Sequence, residues 1–180
     1  MIKRCILIFP EFENGKLIDD IRAKYDPVAH NVRPHVTLVF PFESDIDTET
    51  LRHHVAQALR GIAPFKLSLQ GIVEQKGFGN YLLLDVHRGK RRIVELHNRL
   101  YTGMLESFLP EWSRAFVPHM TVGYLEDAKE FETAANATRQ FCEEFSSVIR
   151  RVSCEIIAEN NDSIIEFEVE LDAGVSPAAL

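Results

Sequence analysis

This sequence predicts an α+β domain with largely antiparallel sheets, on three observations. Strand-like and helix-like segments alternate along the chain. Several neighbouring strand segments are joined by turn signals rather than by crossover helices. A five-residue pattern in the first half returns in the second.

The apolar start Cys5-Ile6-Leu7-Ile8-Phe9, closed by Pro10, reads as a first strand, too short for a signal-peptide core or a membrane span. Leu17, Ile18, Ile21 and Tyr25 then recur at helical spacing, and Asp26-Pro27 stops the helix because proline disfavours helical geometry in the residue before it. Pro34 to Pro41 is β-rich and bracketed by prolines, which belong at strand ends. Asp45 or Asp47 caps the next helix, which carries Leu51, Val55 and Leu59 on one face and ends by Gly61 and Pro64. Strands from Phe65 to Glu74 and from Tyr81 to His87 form a hairpin around Gly77-Phe78-Gly79-Asn80. A helix from Arg91 to Ser107 points Ile93, Leu96, Leu100 and Met104 inward. Its basic first turn opposes the helix dipole, so those charges have another reason to be there. Val117 to Leu125 is a strand. Asp127 to Phe145 is a helix with Phe131, Ala135, Phe141 and Phe145 as apolar positions. Val148 to Ala158 and Ile164 to Leu171 close the fold as a hairpin around Asn160-Asn161-Asp162. These make seven strands and four helices. Residues 1–172 are expected to form one domain and 173–180 a disordered tail.

The net charge of −7 argues against a protein that coats nucleic acid through a broad basic surface, but it leaves room for a small phosphate-bearing substrate. The runs Arg88-Gly89-Lys90-Arg91-Arg92 and Arg150-Arg151 are candidates to guide an RNA end towards a cleft. The cysteines, Cys5, Cys142 and Cys154, are odd in number and widely separated, which fits a reduced, cytoplasmic compartment and offers no zinc or redox pair.

Pro34-His35-Val36-Thr37-Leu38 returns 84 residues later as Pro118-His119-Met120-Thr121-Val122. On a strand, residues two apart share a face, so each copy offers one imidazole and one hydroxyl on one surface. Val36 and Leu38, or Met120 and Val122, point into the core. Halves related by a pseudo-twofold axis would set two His and two Thr across one cleft. That set suits transfer at phosphate: one imidazole takes a proton from the attacking oxygen, the other donates to the leaving oxygen, and the hydroxyls hold the non-bridging oxygens. One His per strand, without Cys, Asp or Glu at ligand spacing, is a poor metal site.

The paired H-x-T motifs, each on a strand and half a domain apart, resemble the 2H phosphoesterase superfamily, which includes bacterial 2′-5′ RNA ligase-like proteins and cyclic phosphodiesterases. Lys24-Tyr25-Asp26-Pro27, Leu100-Tyr101-Thr102-Gly103 and Phe116-Val117-Pro118-His119 are similar to a small bacterial branch of it. The resemblance implies a bilobal fold, two pseudo-symmetric lobes around a central cleft. It also implies His35 and His119 as the acid-base pair and Thr37 and Thr121 as the phosphate-binding pair, with no cofactor and no metal. Phe40, where the RNA ligase-like members carry an aromatic, is a candidate to stack on a base, and Tyr124 is similar. Those relatives often place an Arg shortly after the second motif. Here the chain reads Gly123-Tyr124, which leaves Arg33 or Arg114 to supply the charge.

His53 and His54 read as bystanders on the wet side of their helix, His97 packs at the edge of the core, and His87 ends a strand. His30, in the loop before the first motif, is the accessory candidate. The expected activity is metal-independent hydrolysis of 2′,3′-cyclic phosphodiester or 2′-5′ linkages of nucleotides or RNA ends, by a chain that carries both motifs and so can act as a monomer. The alternatives are 2′-5′ RNA ligation with the same residues and a module that binds nucleotides or RNA ends without turnover.

Overall fold

The computed structural model describes residues 1–77 and 79–172, and at 113 and 114 the backbone alone. Phe78 of the expected turn, the side chain of Arg114 and the expected tail from Ala173 lie outside the described residues.

The apolar start forms β1 (Ile2–Ile8), followed by α1 (Lys16–Tyr25), β2 (Val36–Ser44) and α2 (Thr48–Ala58). A similar order returns as β4 (Tyr81–Arg88), α3 (Lys90–Leu100), β5 (His119–Tyr124) and α4 (Ala128–Thr138). Around these units lie β3 (Phe65–Gln75), β6 (Glu144–Ile149), β7 (Arg151–Ile157) and β8 (Ser163–Glu170). Two four-stranded sheets result, ordered β2-β1-β7-β8 and β5-β4-β3-β6, every pairing antiparallel and each motif strand at an edge. The fold is the expected bilobal α+β arrangement.

The helices tie the lobes together. α1, which follows β1 in the chain, packs on β5 of the other sheet, and α3, which follows β4, packs on β2. One core cluster therefore takes Ile6, Val36 and Leu38 from one sheet together with Leu84, Met120 and Val122 from the other, each at 0% exposure. Asp47, the second of the two candidate caps, starts α2 by accepting from the Thr50 N–H at 2.9 Å, and Asp127 caps α4 through the N–H groups of Lys129 and Glu130.

Four expectations are corrected. The helix after Arg91 ends at Leu100: Gly103 takes φ 53°, the chain continues as a short 3-10 segment (Gly103–Phe108), and Met104 is exposed rather than inward. The helix after Asp127 ends at Thr138, and Phe145 is instead buried on β6 opposite Leu69. A spacing of four fits one helical turn and two strand periods alike, so Phe141 and Phe145 could not discriminate. The expected single strand from Val148 is split at Arg150 between the two sheets, which gives eight strands among the described residues. Pro41 lies inside β2. It is tolerated there because β2 is an edge strand and carries an extra residue where Arg4 pairs Phe42 but Ile6 pairs Val39. The Phe40 N–H donates to the Tyr101 hydroxyl at 2.9 Å.

Candidate active site

His35 immediately precedes β2 and His119 begins β5, so each imidazole stands at the start of an edge strand. Each follows a proline, whose ring fixes φ and carries no N–H. In both copies the carbonyl two residues back turns onto the ring. The His35 Nδ1–H donates to the Arg33 carbonyl at 2.9 Å, and the His119 Nδ1–H to the Val117 carbonyl at 2.7 Å. A carbonyl only accepts, so Nδ1 carries the hydrogen and Nε2 of each neutral ring is the proton-accepting nitrogen. Burial holds both imidazoles below the ordinary histidine value. The charge of His119 lowers His35 further, as it does when two imidazoles share one space.

Strand alternation is as expected: Val36, Leu38, Met120 and Val122 are fully buried, while Thr37 and Thr121 face the groove with partial exposure. β2 and β5 approach within 8 Å between Cα atoms across that groove. A cavity of about 470 Å³ lies there, lined among others by Thr37, His119, Thr121, Phe40, Tyr81 and Trp112. His35 is not part of this lining; its ring stands edge-on to Phe9, with centroids 6.1 Å apart. Arg33 is exposed and places its guanidinium 4.2 Å over the Phe9 ring, which puts it beside the first motif.

Aromatic rings form two groups at the cavity. Phe40 packs edge-on against Trp112 at 4.5 Å, and Tyr81 lies tilted against Tyr124 at 4.8 Å. Phe40 thus both packs and lines the cavity. Tyr124 is not in that lining but shares the face of Tyr81 because β5 has a bulge: Leu82 pairs Gly123 while Leu83 pairs Thr121, so the face alternation resets after Val122. Gly123 fits closely at that point, since a Cβ there would meet the Tyr25 Cβ at 3.0 Å where α1 crosses.

His97, expected at the core edge, is buried. It stacks on Phe116 at 3.9 Å and donates from Nδ1 to the Leu38 carbonyl at 2.7 Å, bracing the strand that carries Thr37. His30, His53 and His87 are exposed, and His54 hydrogen-bonds the Leu100 carbonyl at 2.9 Å. None of the four lines the cavity between the motifs. A larger hollow of about 600 Å³ along α2 is lined by His53 and His54 but by neither motif. Among the described residues no group of three or more His, Cys, Asp or Glu is placed to hold a metal ion. No described helix is long and apolar enough to cross a membrane.

Sequence reasoning missed Trp112, Tyr81, Asp85 and the Arg22–Asp26 pair. Asp85 is the cross-strand partner of His119. Arg22 and Asp26 are bonded at 2.8 Å with side chains only 3% exposed, near enough for both charges to act on His35. One signal was available for Asp85: a lone acid at the end of the apolar run Leu82-Leu83-Leu84, in phase with Tyr81 and Leu83.

Two antiparallel lobes that set a pair of H-x-T strands edge to edge over one groove define a 2H phosphoesterase fold. The family model described as 2′-5′ RNA ligase superfamily matches residues 9–161, and the chain belongs to that superfamily. It is 29% identical over 122 residues to a protein of Bacillus licheniformis named as a phosphoesterase, covering 67% of this chain and 70% of that one. A Bacillus cereus protein of the same name is 31% identical over 134 residues, 71% of this chain and 73% of its own. Among solved structures, E. coli LigT complexed with ATP superposes with a TM-score of 0.61 at 19% identity, covering 94% of this chain and 98% of that one. The crystal structure of LigT with 3′-AMP gives a TM-score of 0.59 at 17% identity, with the same coverage of both chains.

Proposed function

We propose that this protein hydrolyses 2′,3′-cyclic phosphodiester or 2′-5′ linkages of nucleotides or RNA ends, with His35 and His119 as a paired general base and general acid. One observation carries the reading: both imidazoles tie Nδ1–H to the backbone carbonyl two residues back, which fixes each ring at the start of its motif strand with Nε2 as the proton-accepting nitrogen. Burial holds both rings below their ordinary value, so one can accept a proton while the other, when protonated, readily gives one up. In-line attack by water needs one ring to take the water proton and the other to protonate the ribose oxygen that leaves. Thr37 and Thr121, facing the groove, hold the non-bridging oxygens where negative charge gathers.

The Phe40–Trp112 and Tyr81–Tyr124 pairs give the base a flat apolar surface on which to stack. Arg33, beside His35 through Phe9, supplies the cation for an adjoining phosphate. The nucleotides bound by E. coli LigT, ATP and 3′-AMP, support a nucleotide-sized ligand. The reaction calls on no cofactor or metal, and one chain supplies both motifs.

The test is incubation with each of the four 2′,3′-cyclic nucleotides in EDTA, separation of 2′- from 3′-monophosphate products, and repetition with His35→Ala and His119→Ala. Product that survives EDTA and disappears in both variants is expected. Product that needs added metal, or that persists in either variant, overturns the two-histidine reading. Supplying an RNA 5′-hydroxyl end separates hydrolysis from 2′-5′ ligation by the product formed.

A further inference from the structure

The motifs obey the pseudo-twofold relation, but their surroundings do not. Beside His119, Asp85 is its register partner on β4, and such cross-strand pairs hold their Cβ atoms about 5 Å apart. The corresponding neighbour of His35 is Phe9, one residue beyond the Ile8–Val36 pair, with the Arg33 guanidinium over its ring. One histidine therefore stands by a carboxylate, the other by an aromatic ring and a cation. The buried Arg22–Asp26 pair of α1 also acts on His35, where Arg22 opposes a positive ring and Asp26 favours one. Asp85 is the only acid acting on His119 among the described residues. It is 37% exposed and linked to Lys90, at the start of α3, by a long 3.8 Å contact that leaves it room to follow the imidazole.

We propose that Asp85, the cross-strand partner of His119, is a positioning residue that favours a proton on His119 over one on His35, making His119 the general acid and His35 the general base. This assignment rests on the two-histidine reading above. Burial favours the neutral form of both rings, and two neutral rings would leave the reaction without an acid. Asp85 opposes that tendency at His119, where no cation acts against it, while at His35 Asp26 is offset by Arg22 and by His119. In the step that follows, a water oxygen bonds to phosphorus as its proton passes to His35 Nε2. The phosphorus bond to the ribose 2′ or 3′ oxygen breaks, and His119 Nε2–H gives that oxygen its proton. His35 ends protonated and His119 neutral, and one proton moved through solvent restores both. Lys90, one of the cations in the first turn of α3, balances an acid that would otherwise repel the phosphate.

The closing experiment has two readouts. Imidazole NMR titration of the full chain, with no substrate, should show His119 titrating at higher pH than His35. Asp85→Asn should bring His119 down and leave His35 in place, and Asp85→Glu should restore the order. In turnover, Asp85→Asn should shift the alkaline limb of the pH profile to lower pH, with roughly threefold less activity on that side and the acid limb unmoved. A nucleoside 3′-(4-nitrophenyl phosphate), whose leaving group needs no proton, should remain a substrate for His119→Ala and not for His35→Ala. His35 titrating above His119, an equal shift of both rings, or rescue of His35→Ala instead would overturn the assignment. If the wild type turns over no diester, the phosphoesterase reading fails, and the titration alone still decides whether Asp85 holds the proton on His119.

Discussion

Glu166→Gln tests whether the buried ion pair behind β1 holds the first lobe together. Arg4 is fully buried on the helix-covered side of β1. Its Nε and Nη2 donate to the two Glu166 oxygens at 2.7 and 2.8 Å, its Nη1 donates to the Ile46 carbonyl at 2.9 Å, and Thr48 donates to Glu166 at 2.6 Å. The substitution keeps the shape but removes the counter-charge, and a guanidinium cannot escape by losing its proton. Breaking one side of a buried pair costs about 3–5 kcal/mol. With a urea slope of roughly 2–3 kcal/mol per molar, near the upper end for a domain of this size, the midpoint should fall by about 1.5 M at pH 7. The hydrogen bonds from Arg4 and Thr48 hold the Glu166 carboxyl below its usual range. Its contribution is therefore complete above the ordinary carboxylate pKa and fades as pH falls through the lower folded value. The gap between wild type and variant should close in strong acid. Arg4→Met combined with Glu166→Leu should cost less than the two single changes added together. A midpoint shift below about 0.3 M at pH 7, or a gap that widens in acid, would refute the reasoning.

Tyr101→Phe removes the acceptor of the Phe40 N–H at the β2 bulge, and burial has pushed that phenol up to about 12. A loss of about 1–3 kcal/mol is expected in thermal melts, with weaker nucleotide binding because Phe40 lines the cavity. Gly89→Ala puts a Cβ 2.9 Å from the Lys66 carbonyl at a φ of 91°, so more than about 1 kcal/mol should be lost by calorimetry. Trp112→Ala removes a ring that is 60% exposed, so stability should stay within about 0.5 kcal/mol while KM for a cyclic nucleotide rises roughly fivefold at unchanged kcat.

What could be read in advance depended on how far apart in the chain the deciding residues lie. The H-x-T strands were legible because alternation is local: His35 and Thr37, or His119 and Thr121, share a face whatever the rest of the chain does. The same rule failed at Tyr124, which shares the face of Tyr81 only through the β5 bulge, beside a Gly123 packed closely against Tyr25 from a distant part of the chain. Asp85 and Phe9 acquired meaning only from strand pairing, since nothing near either residue in sequence says which histidine it will stand beside. The end of the last helix was lost for another reason. Strand pairing with β3 overrides the weak helical reading at Phe145, and the run Phe145-Ser146-Ser147-Val148-Ile149 is no better suited to a helix than to an edge strand.

The crossing of the helices explains why the two motifs must share one chain. Each motif strand is an edge strand, and the core side of each is covered by a helix that follows a strand of the opposite sheet: β5 by α1, β2 by α3. His97 of α3 bonds the Leu38 carbonyl three residues beyond the first histidine, and Tyr25 of α1 presses on Gly123 four residues beyond the second. A half-chain would keep its histidine but lose the helix that holds the strand flat, and would expose Val36 and Leu38, or Met120 and Val122, to water. Bringing the two motif strands beside one groove is thus achieved by the same contacts that close the core. A disturbance on the back of β2, at His97 or Tyr101, should reach the groove as a change in where Thr37 and Phe40 stand, without any loss of the motif residues themselves.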